Sequence, residues 1–94
     1  MVFLKFHDYP EGKVLAIADK ELIGKKFGDF FINPSFYKSK KAEKEELQTL
    51  INSCNSINIT GKKALSLLKE YIEIPDEIVI LINSEIPHCI IYKI

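Results

Sequence analysis

The sequence predicts an α+β domain: a mixed, largely antiparallel sheet of about five to six strands, with two helices packed on one face. Three observations point there. Val2 to Tyr9 and Lys13 to Ala18 are β-branched and aromatic runs separated by Pro10-Glu11-Gly12, which reads as a hairpin. Between Lys41 and Ile72, two stretches carry apolar residues at helical spacing: Leu47, Leu50, Ile51 and Cys54, then Ala64, Leu65, Leu68, Tyr71 and Ile72. Short apolar runs at Ile57 and Ile59, at Ile78 to Ile82 and at Ile86 to Ile94 supply further strands. Strands grouped before, between and after the helices, without a regular βαβ alternation, distinguish α+β from a parallel α/β sheet.

The chain reads as a single domain over residues 1–94, long enough to bury about two-thirds of its unfolded surface without covalent staples. In the first strand Val2, Leu4 and Phe6 share a wholly apolar face, while Phe3, Lys5, His7 and Tyr9 share a wetter one. Asp19 to Gly24 predicts a capped turn, with Asp19 accepting from the N–H groups that follow it. Phe30 to Asn33 predicts a third strand, stopped by Pro34, with Gly28-Asp29 as a turn or bulge before it. Pro34 to Lys41 is the least regular stretch and reads as a surface loop pinned by one buried ring. The alternative is an RNA-contacting loop, in which Tyr37 stacks on bases and Lys38, Lys40 and Lys41 meet phosphates.

The stretch Ser56 to Tyr71 is the best candidate for a site. A strand passes through Thr60 and Gly61 into a helix that begins Lys62-Lys63. Thr60 is the expected N-cap, and the positive end of the helix dipole beside two lysines would favour a phosphate or carboxylate. The same residues also describe an ordinary strand-to-helix connection. Ile78 to Ile82 is a continuous apolar run and predicts a central strand covered on both faces. The final strand, ending Ile91-Tyr92-Lys93-Ile94, is expected to hold the chain terminus in the sheet.

Composition narrows the function. Thirteen lysines balance thirteen acids and there is no arginine, so no global field draws the chain to nucleic acid and the best phosphate fork is missing. Nucleic-acid contact would have to come from a local patch, for which Lys25, Lys26, Lys38, Lys40, Lys41, Lys62 and Lys63 are the candidates. Cys54 and Cys89 have no metal-ligand spacing and read as small core residues, with a disulfide between them as the alternative. No phosphate-binding glycine loop, CxxC pair, HExxH or GxSxG is present, and no cofactor or metal is expected. His7 and His88 are the candidate polar site, able to pair only if folding brings them together, and no catalysis is expected. No stretch reaches the roughly 20 apolar residues of a membrane span, and the first residues do not resemble a secretion signal. A cytoplasmic protein without a membrane partner is therefore the expectation. Two functions remain open: RNA or ribosome association through the lysines, and a protein-interaction module or homodimer that buries Phe30, Phe31 and Phe36.

Several segments together resemble an uncharacterised archaeal family, domain of unknown function 424. They are Ala16 to Phe27, Phe36-Tyr37, Asn58 to Lys62 and Ile86-Pro87-His88. His7, Asp19, Glu21 to Lys25 and Pro87-His88 match its pattern, whereas Lys38-Ser39-Lys40 replaces a glycine-containing acidic segment. The resemblance implies an archaeal, cytoplasmic, single-domain α+β protein associated with translation.

Overall fold

A computed structural model describes residues 1–93. In chain order the elements are β1 (Val2–Tyr9), β2 (Gly12–Asp19), β3 (Lys26–Phe27), β4 (Phe30–Phe31), α1 (Pro34–Tyr37), β5 (Lys40–Lys41), α2 (Lys44–Ser53), β6 (Ser56–Thr60), α3 (Lys62–Lys69), β7 (Ile80–Ile82) and β8 (Ile86–Tyr92). Short 3-10 turns occupy Lys20–Leu22 and Asp76–Ile78. Six strands form one mixed sheet in the order β5-β1-β2-β6-β8-β7. Among the described residues its only parallel pair is β2 with β6, with Leu15 beside Ile57 and Ile17 beside Ile59.

The expected hairpin forms, with Val2 paired to Asp19 and Tyr9 to Gly12. Its alternation sets the two layers. Leu4, Leu15, Ile17, Ile57, Ile59 and Cys89 face the helices, where Leu47 and Ile51 of α2 and Ala64 and Leu68 of α3 complete the main core. The second face is covered by residues 20–38, which pack Ile32 and Tyr37 onto Ala16 and Ala18. Two alanines on β2 leave room for that second layer. Both expected helices thus lie on one face, and the other face is largely covered as well.

Two expectations need correction. Phe30 to Asn33 does not add a strand to the main sheet; Phe30–Phe31 pairs with Lys26–Phe27 in a separate two-stranded hairpin turned at Gly28-Asp29. The strand covered on both faces is β2, in which Leu15 to Ala18 are all fully buried. The run Ile78 to Ile82 instead begins in a 3-10 turn and ends as β7, at the sheet's outer edge. Local apolarity identified a strand that wants cover but could not say where the topology would put it. The end of α2 follows expectation: Cys54 closes its apolar face. The expectation that the sheet holds the terminal Ile94 lies outside the described residues.

Candidate functional site

The junction of β6 and α3 is built around an acid the chain itself provides. Asp19, at the carboxyl end of β2, is buried and accepts hydrogen bonds from the backbone N–H groups of Lys63 (3.2 Å) and Ala64 (2.7 Å). Parallel pairing of β2 and β6 ends both strands together, which brings residue 19 to the start of α3. The cap is therefore Asp19, across the sheet, and not Thr60; the N-cap residue itself is Gly61. Its carboxylate occupies the positive end of the helix where an external anion was expected to bind. A cleft of about 400 Å3 opens beside it, between Leu22, Lys62 and Pro87. Its other charged groups include Lys63 and Glu21, paired with each other at 3.0 Å on the surface. Each moves the other toward its charged form, lowering the Glu21 pKa and raising that of Lys63.

Thr60 is fully buried and belongs to a chain of side-chain hydrogen bonds. Tyr37 O–H donates to Asn58 Oδ1 (2.6 Å), and its oxygen lies 3.0 Å from Thr60 Oγ1, which in turn lies 2.8 Å from His88 Nδ1. The protons can be placed in order. With the Tyr37 proton engaged by Asn58, Thr60 O–H donates to Tyr37, and Thr60 oxygen accepts from His88 Nδ1–H. Burial lowers the His88 pKa, keeping the ring neutral, and raises that of Tyr37. Phe30 stands edge-on to the His88 ring at 5.1 Å between centroids. The network locks α1 and the β3–β4 hairpin to the sheet, and it keeps the Tyr37 ring in the core instead of on a stacking surface.

The remaining expected residues are not brought into one cluster. His7 Nε2 lies 2.8 Å from the carbonyl oxygen of Phe36, and Nδ1 lies 3.0 Å from Tyr9 Oη, with the ring stacked between Phe36 and Tyr9. β2 and β6 separate its strand from that of His88, a distance of about 14 Å at normal strand spacing. The histidines therefore form no pair. Lys25 and Lys26 stand at β3, Lys38, Lys40 and Lys41 near the β5 edge, and Lys62 and Lys63 on α3. Lys40 pairs with Glu46 at 2.8 Å, and Lys38 Nζ lies 6.0 Å from the centroid of the Phe3 ring. Cys54 and Cys89 are free, buried thiols whose pKa values burial pushes up. Among the described residues no group of three His, Cys, Asp or Glu side chains is placed to hold a metal, and no helix is long and apolar enough to cross a membrane.

Sequence reasoning missed the most unusual surface, which lies at β7. Ile80 and Leu81 are 59% and 60% exposed although they point to opposite faces of the sheet. On the face shared by Ile80, β8 adds Ile90 and Tyr92, 41% and 75% exposed, beyond the reach of the 20–38 cover. By contrast, Phe30 and Phe36 pack against the second core, and Phe31 is the exposed ring of that trio. The two sheet edges differ in chemistry. β5 presents Lys40 and Lys41, the usual protection of an edge against further pairing, whereas β7 reads Ile-Leu-Ile. The signal, the uncharged apolar run Ile78 to Ile82, is visible in the sequence but reads there as a covered central strand.

The family described as Protein of unknown function (DUF424) matches residues 6–94. Among solved structures, the chain is similar to an uncharacterized conserved protein from Methanopyrus kandleri, with a TM-score of 0.77 and 23% identity. That match covers 97% of this chain and 90% of the other. At that identity the likeness concerns the fold. No curated protein matches the chain.

Proposed function

We propose that this chain, which belongs to the family described as Protein of unknown function (DUF424), is a protein-association module that adds a partner strand at β7. One observation carries the reading: an apolar run of the kind that is covered on both faces elsewhere in this sheet lies at an open edge, exposed on both. Burying an isoleucine or leucine side chain contributes about 1.5–3 kcal/mol. A partner strand would cover Ile80 and Leu81 and meet the unpaired backbone between them. Free, buried Cys54 and Cys89 support a cytoplasmic address for this activity. The test is recovery of partners from nuclease-treated cell extract by tagged wild-type chain and by Leu81→Lys. The reading expects proteins that survive the nuclease and are lost with Leu81→Lys; identical recovery by both baits contradicts it.

A second reading, RNA or ribosome association in translation, rests on Lys25, Lys26, Lys38, Lys41 and Lys62. These lysines are exposed and form no ion pair among the described residues. It expects RNA that is lost on ribonuclease treatment, is released steeply by salt, and is unaffected by Leu81→Lys. Recovery unchanged by Lys62→Ala with Lys25→Ala and Lys26→Ala would remove it.

A further inference from the structure

Building on the association reading above, we infer that the strand received by β7 is β7 of a second copy of this chain, paired antiparallel about a two-fold axis. The backbone leaves the necessary groups free. Pro87 lies opposite Leu81, has no N–H to donate, and turns its carbonyl toward Gly61 N–H (2.9 Å), on the β6 side. In an antiparallel ladder the N–H and C=O of one residue point the same way, so Leu81 and Pro87 form a non-hydrogen-bonded pair and Leu81 turns both groups to the open edge.

The chemistry of the incoming strand is set by the two exposed side chains. Ile80 points to one face and Leu81 to the other, so a matching strand has to be apolar on both. β7 itself meets that requirement. The other edge of the sheet does not, because β5 carries Lys40 and Lys41. Pairing β7 with β5 of the next copy would propagate without closure; those lysines oppose it and leave the closed, isologous pairing. A formal net charge of zero leaves no long-range repulsion between copies.

Local charge selects the register. An axis at Leu81 would set Glu77 of each copy opposite Glu85 of the other, whereas an axis at Ile80 sets Glu77 opposite Asn83. The second register also uses Val79, which is extended (φ −90°, ψ 122°) and whose N–H is already engaged by the Asp76 carbonyl at 3.1 Å. Leu81 N–H of each copy then meets the Val79 carbonyl of its counterpart. The two Ile80 side chains face each other in a non-hydrogen-bonded pair, the closest cross-strand position.

The experiment is sedimentation equilibrium of purified protein up to millimolar concentration, joined to oxidation of an Ile80→Cys variant. We expect a concentration-dependent dimer that Leu81→Lys weakens at least about tenfold, equivalent to about 1.4 kcal/mol. Ile80→Cys is expected to give a covalent dimer, since the Cα separation of such a pair suits a disulfide, while wild type with Cys54 and Cys89 buried gives none. A protein that stays monomeric while its β7 captures a different chain from extract overturns self-pairing and leaves the association reading standing. A monomer with no β7-dependent partner overturns both. A dimer that Leu81→Lys leaves intact, or one whose Ile80→Cys variant does not cross-link, overturns the pairing described.

Discussion

The Asp19 carboxylate fills the space a side chain at residue 61 would need: a Cβ built there would lie within 2.6 Å of both its oxygens. Gly61 also has φ 112° and ψ 154°, a region that only glycine enters readily. Close approach and backbone conformation therefore demand the same residue, and together they let a strand-end acid cap a helix that follows a different strand.

Gly61→Ala is expected to lose at least about 2 kcal/mol, from backbone strain and displacement of the cap. Asp19→Ala alone should lose about 1–2 kcal/mol. Urea denaturation of the two single variants and the double variant checks the coupling. The double variant should cost less than the sum, because alanine at 61 has already displaced the carboxylate.

Tyr37→Phe removes the hydroxyl that bridges Asn58 and Thr60. A buried Thr60 hydroxyl then lacks its acceptor and Asn58 its donor, for a loss of about 1–3 kcal/mol with little change in ring packing. Chemical denaturation measures the loss. Stability equal to wild type would show that the Tyr37 hydroxyl does not hold this layer to the sheet.

Burial holds the His88 pKa below the usual value of about 6.5. The unfolded chain therefore binds a proton at pH values where the folded chain does not. Stability should fall as the pH drops below about 6.5 and keep falling until the folded ring also protonates, with no contribution from His88 above that window. Urea midpoints at about pH 7.5 and 5.5, compared between wild type and His88→Gln, isolate this part from the carboxylates. Equal pH dependence in the two proteins would contradict it.

Lys40 and Lys41 guard the β5 edge. Replacing both with valine should convert a closed pairing into open chains, since each copy would then offer two apolar edges. Light scattering should rise with concentration for this variant and fall again when Leu81→Lys is added. Scattering equal to wild type would show that the lysines do not protect this edge.

Much of this fold is visible in local pattern. The β1–β2 hairpin follows from period-two alternation around Pro10-Glu11-Gly12, and α2 and α3 follow from Leu47, Ile51, Ala64 and Leu68 at helical spacing. What local pattern lacks is long-range pairing. The parallel contact of β2 with β6 decides that Asp19 caps α3, that Thr60 turns inward to His88, and that the anion site suggested by Lys62-Lys63 already holds a carboxylate. Tyr37 and Lys38 look alike as loop residues in sequence, yet the alanines of β2 admit the Tyr37 ring to the core while Lys38 stays outside. The apolar run at Ile78 to Ile82 was legible as a strand needing cover, and its place at the edge came from strand order alone.

The most direct measurement is amide hydrogen exchange at Leu81, followed by NMR as a function of protein concentration. Leu81 N–H points to the open edge of β7, so among the described residues of a single copy it has no ladder partner. Self-pairing predicts exchange that slows as concentration rises, with Leu81→Lys abolishing that slowing at the residue-81 amide. Free exchange of Leu81 at every concentration, with the rest of the sheet protected, would contradict it.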